Sequence, residues 1–354
     1  MARERVLIVA PSWVGDAILS EPLVALIRDP FVDPLVDVLA PSWCAPVYRR
    51  IRGIRKIIES PFEKGKLDFL GRRRLGAELQ RERYSRALVL PNSWKSALVP
   101  WFARVPRRTG YLGEARFGLL NDSRRLDIKV LPRLVDRFAA LAGSAGELVP
   151  FPPAPTLVPD RANLIAAMRA LRLKADRPVA ILCPGAEYGS AKRWPPHHFA
   201  ELAAMFLREG SAVWIVGSPN DKIAANAVVA ALGKDVDKVR DLTGRTDLGT
   251  AIDLLSVASL VVSNDSGLMH AAAAVGVPLV ALFGSSSPVY TPPLSPTAQV
   301  AKIEIACSPC FQRECPLGHF RCMRELMPAV VYNLAGMPPE SKVPLDPITV
   351  SRAI

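Results

Sequence analysis

Among the 22 glycines of the 354-residue chain, no two are separated by a single residue, so the dinucleotide fingerprint G-x-G-x-x-G cannot occur. No glycine pair with P-loop spacing is followed by lysine, which removes the usual ATP-hydrolysis site. No serine lies in a G-x-S-x-G elbow, so a hydrolase triad of that kind has no support. No apolar run reaches the roughly 18 to 20 residues of a membrane span. The nearest, residues 271–284, is broken by Gly276 and Pro278. Met1 to Arg5 lead into an apolar strand with no signal-peptide pattern, so the expected location is cytoplasmic. Histidine is scarce, with four residues; His197 and His198 open a helix and are expected at the surface. Six cysteines are too few and too clustered for a secreted disulfide framework in a chain of this length.

Half of the residues are hydrophobic, and the length suits two domains that each bury a core. The net charge of +12 is unevenly spread. Residues 1–160 hold 26 Lys and Arg against 17 Asp and Glu, while residues 161–354 hold 19 against 16. A basic first half points to an anionic partner: nucleic acid, a membrane surface or an acidic substrate. Arg72-Arg73-Arg74, then Arg81, Arg83 and Arg86, form an arginine-rich amphipathic stretch, which Arg104, Arg107, Arg108, Arg116, Arg124 and Arg125 extend.

Strand, polar turn and helix recur along the chain. Apolar runs of strand length, typical of parallel sheets buried on both faces, fall at Val6–Ala10, Val36–Ala40 and Ala87–Pro91. They recur at Val179–Cys183, Val213–Val216, Leu260–Ser263 and Leu279–Phe283. Pro150 to Pro159 holds five prolines in ten residues and reads as a linker. The expectation is doubly wound α/β in two halves, with ligands at the carboxyl ends of the strands and in a cleft between domains.

The chain is organised around Val261-Val262-Ser263-Asn264-Asp265-Ser266-Gly267-Leu268-Met269-His270, a buried strand, a tight polar turn and an alanine-rich helix. Asp265 and Ser266 are candidate N-caps, and Gly267 permits close approach of a ligand. The free N–H groups and positive dipole end of such a helix make a phosphate site. His270 lies one turn into the helix. In the Pro184–Pro195 loop, Lys192 can neutralise a leaving diphosphate and Ser190 can hydrogen-bond it. Cys307-x2-Cys310-x4-Cys315-x6-Cys322, with His319 inside, has zinc-ligand residue types. Its spacing is irregular and Pro309 and Pro316 interrupt it, so thiols or a labile disulfide are expected, and no metal.

The motifs Ser12-Trp13-Val14-Gly15-Asp16, Pro91-Asn92-Ser93-Trp94-Lys95-Ser96-Ala97 and Pro184–Pro195, with the stretch just described and Cys307–Cys322, occur in order. Together they resemble glycosyltransferase family 9, the ADP-heptose:lipopolysaccharide heptosyltransferases, over nearly the whole chain. The resemblance implies a GT-B fold, two Rossmann-like doubly wound domains facing an interdomain cleft. The expected parts are an acceptor-binding domain 1–155, a nucleotide-sugar domain 156–330 and a tail 331–354 returning to the first. It implies inverting, metal-independent transfer of heptose from ADP-heptose to the heptosyl-Kdo2-lipid A inner core of lipopolysaccharide, without a cofactor. Asp16 would be the catalytic base, a role that suits a carboxylate if partial burial brings its pKa toward neutrality. Lys192, Asp265, Ser266, Gly267 and His270 would contact the donor, with Ser190, Glu187 and Tyr188 in a loop that differs among subfamilies. Ser12, Trp13, Asn92, Ser93 and Lys95 would contact the acceptor.

An inner core bearing phosphates and Kdo carboxylates fits the basic first half, and its arginines could also face the cytoplasmic side of the inner membrane. Transfer to Kdo2-lipid A lacking heptose, and a GT-B-like sugar-nucleotide epimerase, remain alternatives; product analysis without acceptor separates the epimerase. A nucleic-acid-binding module is disfavoured, because few aromatics interleave the arginines and no recognition motif is present.

Overall fold

Val6, Leu7 and Ile8 are at most 2 % exposed, as a strand buried on both faces requires. In the computed structural model, which describes residues 3–28, 33–63, 65–147, 151–336 and 351–352, they form the centre of a parallel sheet. The chain divides between Val158 and Pro159 into two compact units.

The first unit contributes β1 (Arg5–Val9), β2 (Leu35–Pro41), β3 (Ile54–Ser60), β4 (Arg86–Val89), β5 (Arg107–Tyr111) and β6 (Asp122–Arg124). These pair in the order β3-β2-β1-β4-β5-β6, all parallel. This is the doubly wound Rossmann order, in which the winding reverses between β1 and β4. The core on one face joins Leu7, Leu39 and Val89 to Leu79, Val99 and Tyr84.

The second unit contributes β7 (Val179–Cys183), β8 (Ala212–Ile215), β9 (Val239–Asp241), β10 (Leu260–Asn264), β11 (Leu279–Leu282), β12 (Ala298–Ala301) and β13 (Ser351–Arg352). Their order is β13-β12-β11-β10-β7-β8-β9, with only β13 antiparallel. Leaving β13 aside, this is the topology of the first sheet, with its reversal between β7 and β10. Trp194, Phe199 and Phe206, each at most 1 % exposed, anchor the core beside β7 and β8. Truncating a buried aromatic of this kind costs about 3–5 kcal/mol.

The stretch 331–354, expected as a tail returning to the first unit, lies mostly outside the described residues. Val331 and Tyr332, in the helix Pro328–Leu334, join the second unit's core, and β13 extends the second sheet. The apolar face of this short helix is covered by Phe206, whose ring centroid lies 5.6 Å from that of Tyr332. Residues 337–350 lie outside the described residues.

Candidate functional site

The reversal between β7 and β10 opens a crevice at the carboxyl ends of these strands. Asn264, fully buried, bridges it: its Nδ2 donates to the Pro184 carbonyl at 2.7 Å, and its Oδ1 accepts from the Trp194 N–H at 3.1 Å. The loop after β7 is thereby fixed to the end of β10. Within it, Lys192 Nζ lies 2.5 Å from Asp265 Oδ2, in a pair whose side chains are 17 % and 5 % exposed. Ser286, in the turn after β11, donates to the same carboxylate oxygen. An ammonium, a carboxylate and a hydroxyl from three strand ends thus converge.

The helix Gly267–Val275 begins two residues beyond Asp265. Asp265 does not cap it, because its carboxylate is engaged by Lys192 and Ser286. Ser266 occupies the N-cap position but makes no side-chain cap bond; its Oγ lies 3.3 Å from Ser263 Oγ. The expected capping by either residue is therefore absent, and the opening N–H groups keep their capacity for an anion. His270 is 5 % exposed, and burial pushes its imidazole down to about 4 against the opposing pull of Asp265. At neutral pH it is uncharged, a hydrogen-bonding group rather than a cation.

Tyr188 and Gly189 tie this loop to the cysteine-rich segment. Tyr188 Oη donates to the Phe311 carbonyl at 2.9 Å, and the Arg313 carbonyl accepts from the Ala191 N–H at 3.0 Å. A Cβ on Gly189 would fall 2.1 Å from the Arg313 oxygen, so only glycine fits this approach. Lys192 Nζ and the Arg313 guanidinium each lie 5.1 Å from the Tyr188 ring centroid. Ser190 opens the turn that ends at Lys192, while Glu187 is exposed. Among the described residues no group of three or more His, Cys, Asp or Glu has an arrangement that could hold a metal ion.

In the first unit the reversal lies between β1 and β4. Asp16 is the third residue of the helix Val14–Leu19, half-buried, and is not the N-cap; that position is Trp13. Ser12, Ser93 and Lys95 line a cavity of about 190 Å³ at the carboxyl ends of β1, β2 and β4. Trp13 and Asn92 are not part of its lining. Asn92 Oδ1 accepts from Arg116 at 3.3 Å, and the same guanidinium donates to the Pro91 carbonyl at 2.7 Å, so Arg116 holds this turn.

Sequence reasoning missed Asn264 and Ser286 in the second unit and Trp43, Phe62 and Arg72 around the first cavity. In the sequence Asn264 stands inside the organising stretch and Arg72 inside a charge run, and neither pattern signals its contacts. Sequence reasoning also placed His198 at the surface, whereas His198 is 5 % exposed, 5.2 Å from the Trp194 ring, with its pKa pushed down to about 4 by burial. The helix Pro196–Arg208 turns that face inward.

Two parallel Rossmann-like units, with a polar cluster at the second reversal and a basic cavity at the first, define a glycosyltransferase of GT-B architecture. The comparisons agree. The model of glycosyltransferase family 9 (heptosyltransferase) matches residues 72–321. Lipopolysaccharide heptosyltransferase 2 of Salmonella typhimurium is 44 % identical over 306 residues, covering 84 % of this chain and 88 % of the relative. Lipooligosaccharide heptosyltransferase 2 of Haemophilus influenzae is 42 % identical over 308 residues, with the same coverage of 84 % and 88 %. The structure of E. coli ADP-heptose LPS heptosyltransferase II superposes with a TM-score of 0.85 at 39 % identity, covering 94 % of this chain and 97 % of that one. The chain belongs to glycosyltransferase family 9, the heptosyltransferases. Its reaction is heptosyl transfer, and its relatives at this identity are of the second type; neither the first-type alternative nor an epimerase is favoured.

Proposed function

We propose that the protein transfers heptose from ADP-heptose to the heptosyl-Kdo2-lipid A inner core of lipopolysaccharide, with inversion and without a metal. The donor belongs to the second unit and the acceptor to the first. The observation that carries the reading is the Lys192–Asp265 pair beside the uncapped helix at Gly267. Helix N–H groups and an ammonium suit a diphosphate. Asp265 repels phosphate but accepts hydrogen bonds from sugar hydroxyls, so it holds Lys192 in place and faces the heptose. Ser190 and Tyr188 shape the loop, and His270 serves as a neutral neighbour.

The chemistry follows from these placements. Asp16 takes the proton of the acceptor hydroxyl as its oxygen attacks the anomeric carbon. The bond from that carbon to the β-phosphate oxygen breaks on the opposite face, and ADP leaves with the electron pair. Lys192 and the helix at Gly267 meet the charge that develops on it, which is greatest in the transition state and so contributes to rate as well as binding. Ser12, Trp13, Asn92, Ser93 and Lys95 hold the acceptor. The anionic lipid-linked acceptor also brings the enzyme to the cytoplasmic face of the inner membrane as a peripheral protein.

The test is incubation with ADP-heptose and Kdo2-lipid A acceptors bearing zero or one heptose, read by mass spectrometry. One heptose added to the monoheptosylated acceptor alone is the expected result. Addition only to the acceptor without heptose, or conversion of the donor without acceptor, would overturn it.

A further inference from the structure

The cysteine-rich segment 307–322 is held between two loops of the second unit. Ser308 Oγ donates to the Gly284 carbonyl at 2.7 Å, and the Phe311 N–H donates to the Ser285 carbonyl at 2.7 Å. Both carbonyls belong to the turn after β11, next to Ser286, which donates to Asp265. On its other side the segment meets the loop that carries Lys192. There the Phe311 carbonyl accepts from Tyr188 Oη, and the Arg313 carbonyl accepts from the Ala191 N–H. The segment therefore clasps the two loops whose side chains meet in the Lys192–Asp265–Ser286 cluster. Its hydrogen bonds are individually modest, so a change within the segment reaches both loops.

The same segment carries Cys307, Cys310, Cys315 and Cys322, all half-buried and unbridged. Cys315 Sγ accepts from the Phe320 N–H at 3.4 Å, and the N–H groups of Leu317, Gly318 and His319 also donate to it. Led by the Phe320 bond, these donors hold the Cys315 thiol below its ordinary pKa, so it is richer in thiolate than an ordinary cysteine. Phe320 precedes Cys322 by two residues, so the turn that donates to the first sulfur brings the second into its neighbourhood. Burial, helped by the charges of Cys307, Cys310 and Cys315, pushes the Cys322 thiol up to about 11. A Cβ on Gly284 would fall 3.1 Å from Cys322 Sγ, so this sulfur packs directly on the turn after β11. Cys307 has a different neighbour, with its Sγ 4.0 Å from His319 Nε2. Cys44 and Cys183 are fully buried, out of reach of a dissolved oxidant.

We propose that Cys315 and Cys322 are a peroxide-sensitive thiol pair whose disulfide loosens the clasp and weakens donor binding. For the donor's place beside Lys192 this rests on the function proposed above. The Cys315 thiolate attacks one oxygen of hydrogen peroxide, the O–O bond breaks, and hydroxide leaves, which makes a sulfenic acid. The Cys322 sulfur then attacks the Cys315 sulfur. Its proton and the sulfenic hydroxyl leave as water, and the S–S bond forms. Peroxide is the two-electron oxidant, and a small thiol reverses the step by exchange. The bond sets the two β-carbons about 3.8 Å apart and turns Cys322 Sγ from Gly284 toward Cys315. That movement pulls on the 311–313 carbonyls that hold Tyr188 and Ala191.

The test treats the full chain with hydrogen peroxide, alkylates the remaining thiols and maps disulfides by peptide mass spectrometry, with calorimetric titration of ADP before and after. The wild type should show a Cys315–Cys322 disulfide and a loss of ADP affinity of roughly 10-fold, the scale of one or two lost hydrogen bonds. Dithiothreitol should restore both. Cys315→Ser should bind ADP as the reduced wild type does and keep that affinity in peroxide. Cys322→Ser should stop at the sulfenic acid, which dimedone traps on Cys315. Because Cys322 packs on Gly284 and its replacement can disturb the turn, Cys315→Ser carries the test. A disulfide between any other pair, no disulfide, unchanged ADP affinity in the oxidised wild type, or equal peroxide sensitivity in Cys315→Ser would overturn the proposal. So would a stoichiometric metal that must be removed before any of these thiols reacts. If the reduced wild type does not bind ADP, the proposed function fails, and the peptide map still decides the thiol pair.

Discussion

The two reversal points share a topology and differ in their chemistry. In the second unit the cation is already matched: Lys192 lies against Asp265, and Ser286 completes the contact. In the first, the hydrogen bonds that Arg72 and Lys95 make among the described residues end on backbone carbonyls around an open cavity. On the proposed function, the matched pair holds its geometry before the donor arrives and leaves helix N–H groups to meet the phosphate. The strand order determines where each site lies, and the few residues after each strand determine what it takes.

Acid is expected to separate the units most strongly, because all four histidines lie beyond residue 196 and none lies in the first unit. His198 and His270 are both held near 4 by burial. The unfolded chain therefore binds protons first as pH falls through the window from about 6.5 to 4, and stability falls with it, having been full above that window. His270 should cost roughly 2 kcal/mol by pH 5, and His198 less. Hydrogen exchange at pH 7 and pH 5 should show the second unit loosening first, and His198→Gln should flatten that response; equal loosening of both units would break the comparison.

Asp16→Asn should lower turnover roughly 100-fold or more, the scale of a lost general base, with ADP-heptose binding nearly intact. A folded variant within a few-fold of wild type would leave Asp16 a first-turn helix residue and nothing more. Removing the matched cation by Lys192→Ala should weaken donor binding by about 1–3 kcal/mol; calorimetry with ADP measures this. Ser286→Ala keeps the ion pair and should cost about 1 kcal/mol in the same experiment, as a single hydroxyl bond does. Salt is the gentlest probe. Acceptor KM should rise with ionic strength more than donor KM, because exposed cations of the first unit such as Arg73 and Arg74 are screened more than the buried pair of the second. Equal salt dependence would say that both sites are equally matched.

The fold was largely legible because strands buried on both faces appear as unbroken apolar runs, as Val6–Val9 and Val179–Cys183 do. Contacts between distant residues were not. Nothing in the spacing of Lys192 and Asp265 encodes a contact across 73 residues, and Ser286 stood in an ordinary serine-rich turn. The arginines misled in a more instructive way. Their number suggested a basic surface, yet Arg86, Arg108, Arg116 and Arg124 donate to backbone carbonyls, with Arg116 only 2 % exposed. A guanidinium carries five donors and can satisfy several carbonyls where a loop has no partner strand. Net charge counts such residues together with those free to bind, and cannot tell Arg73 from Arg116.

The division of labour between the two units is tested most directly by calorimetric titration of ADP-heptose into the Lys192→Ala and Lys95→Met proteins side by side. The account predicts that Lys192→Ala weakens donor binding roughly 10- to 100-fold while Lys95→Met leaves it at the wild-type value. Loss of donor affinity in Lys95→Met equal to that in Lys192→Ala would contradict it.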